Sequence, residues 1–437
     1  MSFFFHFIND SECGKVIGQK SIMERMEESM DTVLDRFLRY VKVYTTSDID
    51  NPDCPSSEIQ REFGKTLVEE MKTIGLQDVG IDENSYVTGT LPANTKRKIK
   101  PVGFIAHMDT APSFNGKGVN PQIHKNYDGK DILLSKESGL LLSPKEFPEL
   151  EKYVGNTLIT TDGKSLLGAD DKAGIAEILT AITEILAHPE LEHGEIRICF
   201  TPDEEIGRGA DMFDVENFNV DFALTVDGGE LGGFEYENFN AAGAKVEIQG
   251  RSVHPGSAKD KMINSIEVAQ EFNAMLPAQA KPEYTDNYDG FIHIMSFQGD
   301  VEKTIMGYII RDHDMDKYLH FQKIMQDAAA FINQKYQLDI VKVEIKEQYL
   351  NMKEKIKPHL YILDIVKAAM LKAGLDMRVE PVRGGTDGAR LSYMGLPTPN
   401  LFTGGANFHG PYEFIPLESM EKAVEVIKNV VYELAEN

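Results

Sequence analysis

Three short apolar runs in this chain each end on an acidic group, and helix-like segments separate them. Val102–Ala106 leads into His107, Met108 and Asp109, and Ile196–Phe200 leads into Asp203, Glu204 and Glu205. The third run, within Asp221–Asp227, closes on Asp227 itself. Thr32–Val43, Glu58–Ile74, Asp171–Leu186 and Leu360–Ala373 carry apolar residues at helical spacing, and Asn400–Thr403 is strand-like. Buried strands interleaved with helices predict an α/β fold, a sheet flanked by helices.

The pattern changes near Asn240. Strand-like Ala244–Gly250, a helix over Ile263–Met275, strands over Gly290–Gly299 and Glu302–Asp312, a helix over Asp316–Lys335 and a strand over Asp339–Gln348 follow in turn. That β-α-β-β-α-β order fits a ferredoxin-like α+β unit. Residues 240–350 therefore read as a domain inserted into a larger one made of 30–239 and 351–437, as a chain of 437 residues leads one to expect. The first 29 residues carry no clear pattern. They read as an extension, either disordered or translated from upstream of the start codon, with Met23, Met26 and Met30 as later candidates.

Charge narrows the partners. The net charge is −25, from 45 Lys+Arg against 70 Asp+Glu, which disfavours nucleic acid and anionic membranes. Cys13, Cys54 and Cys199 are too few and too scattered for a disulfide framework or a CxxC metal knuckle, and a reducing, cytoplasmic setting is expected. No run approaches the roughly 18 apolar residues of a spanning helix.

Five places concentrate metal-ligand chemistry: His107 with Asp109, Asp170 with Asp171, Glu204 with Glu205, Asp227, and His409 in a Gly-rich loop. Taken singly, each has a bland explanation: a satisfied core histidine, a helix cap or an acidic turn. Together they place carboxylates and a histidine at the ends of several strands, where ligands bind in open α/β sheets. Two imidazoles with several carboxylates suit zinc, and a shared carboxylate suits a pair of metal ions.

From about Met30 onward the chain resembles the peptidase T family, tripeptide aminopeptidases of the superfamily that also holds carboxypeptidase G2-like enzymes and succinyl-diaminopimelate desuccinylase. The stretches TLITTDGKSLLGADDKAGIAEI, FTPDEEIGRGA, TVDGGELG, YENFNAA and RGGTDGARLSYMGLPTPNLFTGG carry the resemblance. It implies a zinc-peptidase-like mixed sheet flanked by helices, with residues 240–350 as a lid, and two Zn²⁺ per subunit. Asp170 would bridge the ions, with His107 and Asp227 completing one and Glu205 and His409 the other. Glu204 would be the general base for attack by a zinc-bridging hydroxide, and Asp109 would orient His107. Asp171 matches no ligand position and reads as a cap or support. His254, Arg311 and Arg383 would contact substrate, Arg311 through the peptide's terminal carboxylate. Short peptides are the implied substrates, and a homodimer is expected.

The rival readings are a related dipeptidase or N-deacylase with the same ligands, and a non-catalytic zinc-binding protein. A two-metal phosphoesterase ranks lower, because the chain offers only a few arginines for an anion.

Overall fold

The run at residues 102–106 becomes the middle of a sheet because it is apolar on both faces. In the computed structural model, which describes residues 31–436, strand β3 (Val102–His107) is buried along its whole length. Val102, Phe104 and Ala106 face the main core, while Ile105 faces a second cluster with Cys199, Phe218 and Tyr86. Continuous burial of this kind marks a parallel strand covered on both sides.

Strands β1 (Gln77–Ile81), β2 (Val87–Leu91), β4 (Ile196–Thr201), β5 (Phe222–Gly228) and β6 (Gly233–Glu235) belong to the same sheet. It has eight strands in the order β1-β2-β4-β3-β5-β12-β6-β11, where β11 is Arg378–Val379 and β12 is Asn400–Phe402. β4, β3, β5 and β12 run parallel. The acidic ends of the three apolar runs therefore emerge side by side at one edge.

Helix α1 (Val33–Tyr40) starts with a capping box between Thr32 and Asp35, and α2 (Glu58–Ile74) ends on Gly75 in the left-handed conformation. Helix α3 (Ala169–Ala187) is buried almost all round, packed against β3, β5, α1 and the C-terminal helix Leu417–Glu436. The C-terminal helix was not foreseen from the sequence, nor were several short strands such as Leu158–Thr160 and Phe414–Pro416.

Residues 240–349 form a separate antiparallel sheet in the order β8-β9-β7-β10. Its strands are β7 (Asn240–Gln249), β8 (Phe291–Gly299), β9 (Lys303–Asp312) and β10 (Val341–Tyr349). Helices Ser265–Ala274 and Met315–Tyr336 cover one face around their own apolar core. The two chain crossings into this unit are joined by buried asparagines. Asn238 Oδ1 accepts from Met352 N at 2.7 Å, Asn240 Oδ1 accepts from Asn351 N at 2.9 Å, and Asn351 Oδ1 accepts from Asn238 N at 3.1 Å. The extension expected over residues 1–29 lies outside the described residues. Among the described residues no helix is long and apolar enough to cross a membrane.

One close approach sets the site. At Gly174, a Cβ would collide with the Val226 carbonyl oxygen and with Asp171, so only glycine lets α3 lie this close to β5. The contact brings the start of α3 beside Asp227. Gly174→Ala is expected to cost about 1–3 kcal/mol through overpacking, read as a lower urea midpoint; an unchanged midpoint would show that the helix can stand off the strand freely.

Candidate metal centre

His107 ends β3, and its ring nitrogens are both engaged. Nε2 lies 2.8 Å from Asp170 Oδ1 and 3.6 Å from Asp227 Oδ1, and Nδ1 lies 3.4 Å from Asp109 Oδ1. On the other side of Asp170, its Oδ2 lies 2.9 Å from His409 Nε2, which is also 3.0 Å from Glu205 Oε2. One carboxylate thus faces both imidazoles, one oxygen each, with Asp227 flanking the first and Glu205 the second. The remaining Glu205 oxygen, Oε1, is buried without a hydrogen-bond partner among the described residues, an atom that a cation would satisfy. His107 with Asp170 and Glu205, and His107 with Asp171 and Asp227, are each clustered tightly enough to hold an ion. Two imidazoles and several carboxylates fit zinc chemistry.

Asp171 differs from Asp170 although the two are adjacent. Its Oδ2 accepts from His107 N at 3.1 Å and its Oδ1 from Gly174 N at 3.2 Å, so backbone donors occupy both oxygens. It holds the strand end to the helix start, in keeping with the reading as cap or support.

Asp109 is fully buried and does more than face His107. Its two oxygens accept from Glu204 N at 3.0 Å and Glu205 N at 3.1 Å, fixing the turn that carries both glutamates. Asp203, in the same turn, accepts from Ser56 N at 2.7 Å and Gln60 Nε2 at 2.7 Å.

The charges are held out of balance. Burial pushes the Glu204 carboxyl well above its ordinary range, with Asp227, Asp387 and Glu205 adding repulsion. Burial and then Asp170 push Glu205 up to about 8. Burial opposes a charged His107, yet Asp227, Asp109 and Asp170 outweigh it and raise its pKa. Burial also disfavours the Asp170 carboxylate, but His107 and His409 outweigh it and hold the pKa down.

A cleft of about 570 Å³ opens over this cluster. Glu204, Glu205, Asp387 and His409 line one wall, while Arg311 and Tyr349, at the ends of β9 and β10, line the other. The Arg311 guanidinium donates to Gln348 Oε1 at 2.9 Å and sits 5.4 Å from the Tyr349 ring centre.

Two residues expected at the substrate are placed elsewhere. His254 is exposed on the turn after β7, where its Nδ1 accepts from Gly256 N at 3.1 Å, and it does not line the cleft. Arg383 does not line it either. Its guanidinium donates to the carbonyls of Asn287 and Asp289 at 2.8 and 3.0 Å and lies over the Phe239 ring at 5.1 Å. Its donors are used in tying the 285–289 loop to the larger unit. Sequence reasoning also missed Glu413, which is buried four residues beyond His409 and accepts from backbone N–H groups ahead of Asp170. An acidic residue between Tyr412 and Phe414 was the available signal.

The chain is similar to known peptidases over most of its length. Residues 161–433 match the sequence profile of peptidase family M20/M25/M40. The chain is 59% identical to Peptidase T of Clostridium acetobutylicum, over 93% of this chain and 100% of that one. It is 54% identical to Peptidase T of Bacillus subtilis (strain 168), over 92% and 98%. Among solved structures, an aminopeptidase PepT from Bacillus cereus superposes with a TM-score of 0.73 at 24% identity, covering 92% of this chain and 98% of that one. A Bacillus subtilis protein described as a dinuclear metal binding peptidase of the M20 family superposes at 0.62 and 14% identity, covering 95% and 99%. At these identities the two structures speak to the fold.

Hydrogen bonds to Asp170 and Glu205 raise the His409 pKa from 6.5 to about 11. A raised value means that the folded state holds this proton more tightly than the unfolded chain. The stabilisation is full below pH 6.5 and is lost as pH rises towards 11. Protein stripped of divalent ions is expected to lose stability over that window, and His409→Gln to flatten that part of the curve. Urea midpoints measured against pH in chelator check this; equal slopes in the two proteins would remove His409 as the cause.

Proposed function

The chain belongs to peptidase family M20/M25/M40, and from that premise we propose that it is a metal-dependent aminopeptidase that releases the N-terminal residue of short peptides, tripeptides in particular. The observation that carries the reading is Asp170, with one oxygen facing His107 at 2.8 Å and the other facing His409 at 2.9 Å.

In this reading Asp170 would be shared between two zinc ions, one also held by His107 and Asp227 and the other by Glu205 and His409. Bound zinc supplies Lewis-acid polarisation of the scissile carbonyl and a lowered pKa for the attacking water. Glu204 lies on the cleft wall beside Glu205; it takes the proton from the attacking water and returns it to the leaving amine. Asp109 serves it twice, by facing His107 Nδ1 and by accepting from Glu204 N. Arg311 stands across the cleft as the partner for the peptide's terminal carboxylate, a role its planar fork suits. His254 and Arg383 do not line this cleft in the single chain.

The test pairs a variant with a substrate series. Glu204→Gln is expected to retain zinc and to lose about 10²-fold or more in turnover. Wild-type, zinc-loaded protein is expected to release the first residue of a free-amine tripeptide and to leave its N-acetylated twin intact, read by mass spectrometry. Turnover of the acetylated twin would replace this reading with an N-deacylase. Full activity in Glu204→Gln would remove Glu204 from proton transfer.

A further inference from the structure

Residues Leu167 to Asp170 enter the site as an extended turn, with Gly168 in the left-handed conformation at φ 78°. A turn of this kind leaves its backbone N–H groups without helical or sheet partners, and buried donors need acceptors. One side chain meets all of them. Glu413 Oε2 accepts from Leu167 N at 2.7 Å and Gly168 N at 2.9 Å, and its Oε1 accepts from Ala169 N at 2.7 Å and Asp170 N at 3.3 Å.

Glu413 is itself fixed. It directly precedes the strand Phe414–Pro416, which pairs with Leu158–Thr160. The bonds Ala406 N to Phe414 O at 3.0 Å and Phe414 N to Ala406 O at 3.1 Å close the loop that carries His409. One carboxylate therefore joins the segment presenting Asp170 to the loop presenting His409, and those two side chains meet at 2.9 Å.

We propose that Glu413 is a positioning residue of the metal centre: it preorganises the Asp170 turn against the His409 loop before any ion arrives. This rests on the metal-centre reading given above. Glu413 touches neither substrate nor ion; it acts through the backbone of residues 167–170. A neutral amide in its place turns an NH₂ group against two N–H donors, so the turn loosens while the side chain keeps its size. Removing such a supporting carboxylate costs about 10–100-fold in metal affinity.

The experiment compares wild type and Glu413→Gln by zinc titration against a chelating competitor, with urea unfolding of both metal-free proteins alongside. The expected result is a zinc Kd raised about 10–100-fold, with a lower metal-free unfolding midpoint because two buried N–H donors lose their acceptor. An unchanged Kd in the variant would overturn the proposal while leaving the metal centre standing. Failure of the wild type to bind zinc would overturn the metal centre and the positioning role with it. If the variant does not fold, hydrogen exchange on metal-stripped wild type decides. Slow exchange at the amides of residues 167–170 supports preorganisation by Glu413, and exchange at open-loop rates would mean that the ion, not Glu413, orders the turn.

Discussion

Asp170, Glu205 and Asp227 crowd against two imidazoles where the central parallel strands of the mixed sheet end, and burial pushes the Glu205 and Asp227 carboxyls upward. Like charges brought this close and out of water cost free energy unless cations share the site. The protonated imidazoles meet part of that need, and divalent ions meet it more fully. The rest of the fold serves to keep the carboxylates from moving apart. β3, β4 and β5 run parallel so that their ends coincide, and α3 presses on β5 through Gly174.

The acidic residues separate into two kinds by what their oxygens touch. Asp109, Asp171 and Glu413 give both oxygens to backbone N–H groups. They stitch strand ends and turns together, and Asp109 also faces His107. Asp170 faces imidazoles with both oxygens, and Glu205 faces one imidazole while its second oxygen has no protein partner among the described residues. Charge-assisted bonds to main-chain amides are strong and directional, so the first kind can hold the second in a geometry that repulsion alone would open. The distinction explains why adjacent Asp170 and Asp171 do different work.

How much of this was legible in the sequence follows from the same physics. A strand buried on both faces leaves a continuous apolar run, so Val102–Ala106 was visible, Ile196–Phe200 was visible by its alternation around Arg197, and so were the acidic groups at their ends. The alternating strands and two helices of residues 240–349 were visible because one face of that sheet packs on its own core. Strands of two or three residues, such as Arg378–Val379 and Gly233–Glu235, leave too short a period to distinguish from a turn. Glu413 was illegible for another reason: its role lies in four donors some 240 residues away in the chain. The contacts of Arg383 with the 285–289 loop were not legible either, because its carbonyl partners lie nearly 100 residues away in the chain.

The inserted unit gives the cleft its polarity. The wall from the larger unit carries Glu204, Glu205, Asp211 and Asp387 beside Arg390 and His409, while the facing wall carries Arg311 and Lys346 beside Glu347. Arg311 keeps its place because Gln348 accepts from it and the Tyr349 ring lies beside it. The asparagines at the crossings, Asn238, Asn240 and Asn351, join the two chain passages into the inserted unit to each other through buried backbone bonds. A short peptide carries an ammonium at one end and a carboxylate at the other. A peptide whose carboxylate pairs with Arg311 would turn its ammonium towards the acidic wall and set its N-terminal peptide bond against Glu204. On the proposed reading, the choice of the first residue over the last thus comes from the opposition of two walls, and the span between them limits how long a peptide can satisfy both at once.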